Sequence, residues 1–196
     1  MFKRIFTVLL TITAAVVIFT QPAHARLTLT IDDPSTNGTD LYIEDGGPLD
    51  LADGITGIVE TCSGNGLNAA CITAFSKPHS GAASVPNIQL HIDFLKWRGD
   101  LKITATDTDY TAGATTGTAS IFGTALKVDG VSIKFWGDQG NQPFGKGQLI
   151  YSLDKSGGNI IRDEVVDSGP VGSLTIEVML EGQGNDEMNV GITSSL

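Results

Sequence analysis

Basic side chains are scarce in this sequence, and nowhere do they gather. Its 196 residues carry 12 Lys and Arg against 22 Asp and Glu, for a formal net charge of −10. Phosphate backbones and anionic lipid headgroups need clustered cations, so nucleic acid and acidic membranes are excluded as partners. Cysteine is limited to Cys62 and Cys71. With no C-x-x-C or H-x-x-x-H beside them, a closed zinc site lacks its four ligands. Histidine is also short for a metalloenzyme, with only His79 and His91 beyond His24. After the first 25 residues no apolar run is long enough to span a bilayer. Long helix formers are few, whereas Gly reaches 24 and Thr and Ser recur throughout, a composition of short strands and tight turns.

What is present begins with "MFKRIFTVLLTITAAVVIFTQPAHA". Lys3 and Arg4 precede an apolar run from Ile5 to Phe19, then Pro22 and the small-residue site Ala23-His24-Ala25. This pattern predicts a secretory signal peptide over 1–25, cleaved after Ala25, and a mature chain 26–196 forming one domain. The product is expected outside the cytoplasm, extracellular or periplasmic, with no membrane insertion after cleavage.

That compartment decides how "ETCSGNGLNAACIT" is read. In an oxidising environment Cys62 and Cys71 form a disulfide, worth roughly 2–3 kcal/mol by loop entropy. Gly64-Asn-Gly66-Leu-Asn-Ala69 has the spacing of a dinucleotide-binding loop, but a staple across it and Lys77-Pro78 after it leave no room for the long helix such a loop opens. Its glycines read as a turn. Leu67–Phe75 carries enough Ala and Leu for one or two helical turns.

Elsewhere the dominant period is two. Leu27, Leu29 and Ile31 alternate with threonines. Ile88, Leu90, Ile92 and Phe94 alternate with Gln89, His91, Asp93 and Leu95. The same rhythm joins Leu101, Ile103 and Ala105; Val131, Ile133 and Phe135; Leu149, Tyr151 and Leu153; Leu174, Ile176, Val178 and Leu180; and Met188, Val190 and Ile192. Alternation of this kind marks strands with one face in a core and one in water. Turn residues punctuate the runs, including Arg98-Gly99-Asp100 and Ser156-Gly-Gly-Asn159, and Asp129-Gly130 predicts a type I′ hairpin. The fold class is all-β: an antiparallel two-sheet β-sandwich, jelly-roll or immunoglobulin-like, of about 9–11 hairpin-linked strands, with a closed barrel as the alternative.

Three constellations could carry chemistry. In "DDPSTNGTDLYIE", Asp33, Ser35, Asn37, Gly38 and Glu44 occupy first, third, fifth, sixth and twelfth places of a calcium loop, in which alternate oxygens turn inward around a Gly bend. Asp40 at the usually apolar eighth place, and a strand upstream instead of a helix, depart from that pattern. Asp107 and Asp109, at strand spacing and so on one side, form a second candidate calcium or acid–base pair, to which Asp138 and Asn141 could add oxygens. Trp97 and Trp136 each fall opposite the apolar register, where an exposed indole could stack on a sugar ring, as could Tyr110. "VDSGP" around Ser168 lacks the second Gly of a trypsin-like nucleophile loop, and G-x-S-x-G is absent.

Thr106-Asp107-Thr108-Asp109-Tyr110, then Gly123-Thr124, then Asp138, Asn141 and Phe144 together resemble secreted bacterial surface proteins of the exosortase-sorted (PEP-CTERM) type. The resemblance covers about a quarter of the chain. It implies an extracellular matrix-type β-sandwich and no catalytic residues. That family's C-terminal Pro-Glu-Pro tag, membrane segment and basic end are missing, so covalent sorting is not expected. The sequence thus points first to a secreted, non-enzymatic structural or adhesive protein that self-associates or contacts extracellular polysaccharide. A carbohydrate-binding module, calcium-dependent or not, is the second reading, and a hydrolase with an acidic pair the third. Amino-terminal sequencing of the exported protein should read Arg26-Leu27-Thr28; a retained Met1 would overturn the signal peptide.

Overall fold

The computed structural model describes residues 26–52, 55, 57–64, 69–77, 87–110, 116–183 and 187–196. The expected signal peptide, His79 and residues 65–68 of the disulfide loop lie outside them. The described residues contain no helix and twelve strands. In chain order these are β1 (Thr28–Asp32), β2 (Leu41–Glu44), β3 (Ile58–Gly64), β4 (Ala69–Lys77), β5 (Asn87–Trp97), β6 (Leu101–Asp107), β7 (Thr116–Leu126), β8 (Val128–Asp138), β9 (Gln148–Lys155), β10 (Gly158–Asp167), β11 (Ser173–Gly182) and β12 (Met188–Ser195). Sheet A runs β2-β1-β6-β11-β8-β9 and sheet B runs β10-β7-β12-β5-β4-β3, with antiparallel pairing throughout. The two sheets pack face to face, with β5 against β6 and β11, and β9 against β10. This is the expected β-sandwich.

The connectivity follows from where apolar residues must go. Consecutive strands pair side by side only in β1–β2, β3–β4, β4–β5 and β8–β9; the other connections pass from one sheet to the other. Turns read as hairpins are therefore mostly arches between layers. Arg98-Gly99-Asp100 joins β5 to β6 with Gly99 at φ 85°, and Gly158 opens β10 at φ 114°. Asp129-Gly130 is no hairpin tip. The chain turns at Lys127 (φ 58°), and Asp129 is the extra residue of a bulge where Glu181 and Gly182 face Gly130 and Val128. A tight hairpin there would have kept β7 and β8 in one sheet and left one apolar face uncovered.

The inward faces meet in one apolar cluster. Leu29, Ile103, Ile176, Ile133 and Phe135 from sheet A, and Ile72, Leu90, Ile121, Val190 and Ile192 from sheet B, are all buried in it. Each fully buried Leu, Ile or Phe contributes on the order of 1.5–3 kcal/mol of apolar transfer. The helical reading of 67–75 is corrected. Ala69–Lys77 is a strand, because Ile72, Ala74 and Ser76 alternate inward against β5 and pairing with β3 and β5 outweighs alanine's helix preference. The Cys62–Cys71 disulfide forms, joining directly opposed residues of β3 and β4 whose Cα atoms are 4.2 Å apart. It ties the outermost strand of sheet B to its neighbour.

Bulges reverse two of the expected faces. Ile72 pairs with Ile92 and Cys71 with Phe94, so Asp93 is skipped and the inward parity of β5 shifts. Leu95, expected outside, is in the core. In β9, Phe135 faces Tyr151 but Trp136 faces Leu149, so Ile150 is the extra residue. Leu149 is consequently exposed, and Ile150 packs against the core. At one place two strands touch so closely that only glycine fits. Gly123 of β7 has φ 151°, and a Cβ there would meet the Gly191 carbonyl oxygen of β12 at 2.1 Å. Gly123→Ala should cost about 2 kcal/mol and lower the melting temperature by roughly 4–8 °C; an unchanged melting curve would contradict this packing.

Candidate functional site

The outer face of sheet A is built from the polar half of the alternation. Reading across the register, Tyr42, Thr30, Thr104, Glu177, Lys134 and Ser152 lie in one row on β2, β1, β6, β11, β8 and β9. In the next row stand Glu44, Thr28, Thr106, Thr175, Trp136 and Leu149. β-branched threonine suits a pleated surface and leaves hydroxyls on β1, β6 and β11. Thr106 and Thr175 hydroxyls are 3.0 Å apart. Their neighbours Thr28, Thr30 and Thr104 are also buried, so this face is covered at its rim.

The cover is the segment 139–147 between β8 and β9. Asp138 organises it by accepting N–H bonds from Gly140 (3.1 Å) and Gln142 (3.3 Å). Ser173 Oγ donates to the Gln142 carbonyl at 2.9 Å, and Gly172 N–H to the Asp138 carbonyl at 2.8 Å. Asn141 and Asp109 bind each other twice: Asp109 N–H donates to Asn141 Oδ1 (2.5 Å), and Asn141 Nδ2 to Asp109 Oδ1 (2.6 Å). Both residues have positive φ, as does Phe144 at 57°. A bulky side chain held in the left-handed region marks a backbone fixed by its surroundings, and such positions gather at binding sites. Phe144 N–H donates to Thr106 Oγ1 at 3.2 Å. Residues 106–109 and 141–144 are thus in direct contact.

Between this segment and β2 runs an open groove of about 280 Å³, lined by Thr30, Asp32, Thr39, Tyr42, Lys102, Thr104, Phe144, Lys146 and Glu177. Tyr42 and Phe144 face each other edge to face, ring centroids 6.4 Å apart, and Tyr42 is 48% exposed. Two ion pairs flank the threonine floor: Lys102 with Asp32 at 3.4 Å, and Lys146 with Glu177. The Lys146 ammonium also lies 5.6 Å from the centre of the Trp136 ring. The Tyr42 phenol donates to Glu44 at 2.9 Å, and burial leads the causes that push its pKa up.

The sequence candidates distribute unevenly around this groove. Trp136 is on the outer face beside it, as its register implied. Trp97 is not, because the Asp93 bulge turns it to the core side, where it packs against the buried cluster. Asp33, Ser35 and Asn37 form a self-contained turn at the groove's rim. Asp33 Oδ1 accepts from Ser35 N–H (2.8 Å), while Asp40 accepts from Asp33 N–H (2.7 Å) and Thr36 Oγ1 (3.0 Å). Glu44 belongs to β2 and bonds to Tyr42, not to that loop. Among the described residues no group of three His, Cys, Asp or Glu side chains could hold a metal ion. Asp33 and Glu44 thus serve different partners.

Asp107 and Asp109 also part company. The left-handed backbone at Asp109 sends it to Asn141, whereas Asp107 ends β6 facing the core. There it accepts from Ser76 Oγ of sheet B and from Thr108 N–H (3.0 Å). Ser76 Oγ lies 2.8 Å from the Tyr110 phenol, which donates to the Asn87 carbonyl at 3.2 Å. This buried polar bridge clamps the two sheets together. Ser168 donates to the Gly169 carbonyl, and His91 packs at a tilt beside Phe75, ring centroids 4.9 Å apart, on the outer face of sheet B. Sequence reading missed Tyr42, Thr30, Thr104 and Lys146. Threonine in alternate places on β1 and β6, with Thr175 on β11, was the available signal.

Tyr110 supplies a pH test. Burial first, then the Asp107 charge, push its pKa well above the ordinary tyrosine value. A raised pKa contributes stability that is complete below the unfolded tyrosine pKa, about 10, and is lost as pH rises beyond it. In alkaline titration followed by tyrosine absorbance, Tyr110 should ionise only as the fold opens, and Tyr110→Phe should remove that step. Full ionisation of every tyrosine with the fold intact would refute the clamp.

No family model matches the chain, and no curated protein matches it in sequence. Among solved structures it is similar to a family 61 carbohydrate-binding module in complex with β-1,4-galactotriose, at 12% identity and a TM-score of 0.30, covering 64% of this chain and 81% of that one. It is similar also to an arabinose-bound family 51 α-L-arabinofuranosidase (14% identity, TM-score 0.28, 70% of this chain and 23% of that one). A third is a family 43 arabinoxylan arabinofuranohydrolase from Bacillus subtilis in complex with cellotetraose (10% identity, TM-score 0.27, 88% and 52%). Likenesses this distant add nothing to the sandwich that the chain's own strand pairing establishes.

Proposed function

We propose that this chain is a secreted, non-enzymatic adhesive protein whose sheet A groove binds a polysaccharide. The groove itself is the observation that carries the reading. It combines an exposed aromatic wall, Tyr42 with Phe144, a floor of threonines and two flanking ion pairs on a rigidly braced platform. A sugar ring offers an apolar C–H face and a belt of hydroxyls. Aromatic walls suit the first, and charged or hydroxyl side chains suit the second. Bracing of segment 139–147 by Asp138, Asn141 and Ser173 keeps the ordering cost of binding low.

The pairing of the groove's carboxylates favours binding over hydrolysis. A glycosidase needs a protonated carboxyl and a second, free carboxylate across the bond. Here Asp32 and Glu177 are each engaged by a lysine. The disulfide is compatible with an extracellular location, and no helix of the described residues is long and apolar enough to cross a membrane. Affinity electrophoresis through gels containing soluble plant and bacterial polysaccharides should show retardation. Tyr42→Ala and Phe144→Ala should each weaken it by about tenfold or more, while Phe122→Ala on the opposite sheet leaves it unchanged. Free migration through the whole panel, or retardation indifferent to Tyr42, would defeat the proposal.

A further inference from the structure

Sheet B ends in β10, and that edge is unlike the others. Its ten residues pair with β7 in unbroken register from Gly158–Ala125 to Asp167–Thr116, and no described strand pairs with its other side. Natural edges are blunted by shortness, bulges, proline or charge, and of these β10 has only the charges Arg162, Asp163, Glu164 and Asp167. Sheet A's edges follow that rule, since β2 has four residues and β9 carries the Ile150 bulge. At the far side of sheet B, β3 is tied to β4 by the disulfide. In contrast, β10 is long, regular and free of proline, and residues 161–165 are all exposed. Ile161 and Val165 are 73% and 72% exposed, and Phe122, opposite Ile161 on β7, is 56% exposed. Apolar side chains on an open edge favour pairing with another strand.

We infer that the occupant of this edge is the β10 edge of a second copy, paired antiparallel about a two-fold axis through Asp163. Charge and symmetry select this pairing. An isologous antiparallel pair has its axis normal to the sheet, so opposed residues share a face and only registers of equal parity are allowed. With the axis at Asp163, Ile161 meets Val165 of the other copy, Arg162 meets Glu164, and Ile160 meets Val166, each contact occurring twice. Moving the axis to Arg162 sets Ile161 against Asp163 and Ile160 against Glu164. Moving it to Glu164 sets Ile161 against Asp167 and Arg162 against Val166. Only one register matches apolar with apolar and cation with anion. The Lys155 ammonium takes the Asn159 carbonyl at the start of the strand. The single unfavourable contact is Asp163 with its own copy, on the solvent-facing side.

The pairing is independent of the glycan reading and has its own test. Sedimentation of the exported protein over a range of concentrations should show reversible dimers. Arg162→Glu sets glutamate against glutamate, and Glu164→Arg sets arginine against arginine, so each should raise the dissociation constant by about tenfold or more. The double variant R162E/E164R restores both opposite-charge pairs and should recover the dimer, which separates lost pairing from lost folding. Asp163→Asn should tighten it. A protein monomeric at every concentration overturns the inference, as does a dimer indifferent to either single charge change. A double variant that stays monomeric overturns the register. Dissociation by Tyr42→Ala instead would mean that the copies meet through the groove, and would equally overturn it.

Discussion

Everything in this molecule hangs on the contact between two apolar faces, each made of every second residue along six strands. Neither sheet could remain in water alone, because each exposes a continuous Leu, Ile and Val surface on one side. Burying both against each other removes those surfaces from water and leaves the other half of each strand free to vary. The polar half then becomes a surface of regularly spaced side chains on a stiff support. The groove is a product of that regularity, with threonines as floor and ion pairs as borders.

Crossing connections do a second job. An arch carries the chain from one layer to the other, and it places a loop at the sandwich rim each time. Segment 139–147 remains on the sheet A side because β8 and β9 are hairpin neighbours. It folds back over the outer face and is fixed there by Asp138 and by the doubled Asp109–Asn141 bond. The buried Asp107, Ser76 and Tyr110 bridge joins the two layers close by. Asp107, Ser76 and Tyr110 satisfy one another, so they add specificity of register without leaving the carboxylate alone in an apolar medium.

Much of this was legible before any coordinates. Alternation identified the strands that supply most of the core, and the compartment argument identified the disulfide. What escaped were single-residue events. A bulge at Asp93 reversed the parity of Leu95 and Trp97, and one at Ile150 exposed Leu149. Parity is counted from local sequence, whereas a bulge is set by the neighbouring strand, so no local pattern announces it. The Asp129-Gly130 pair has hairpin chemistry and became a bulge for the same reason. β7 and β10 were overlooked because Gly-Thr and charged residues blur their alternation. The groove was invisible at that stage, since Tyr42, Thr104, Phe144 and Glu177 are distant in the chain and meet only through the register of sheet A. Acidic spacing, by contrast, promised more than it delivered: Asp107 and Asp109 are two residues apart and serve different neighbours.

The position of β12 has a consequence for biogenesis. This strand, formed by residues 188–195, sits in the interior of sheet B between β7 and β5. Until it is available, the strands on its two sides have no common partner, and the layer exists as two fragments with raw margins. A nascent polypeptide therefore cannot complete its architecture progressively from the amino terminus while it is still being made. It stays pliable until residues 188–195 emerge, and the two fragments then close into one layer in a single step.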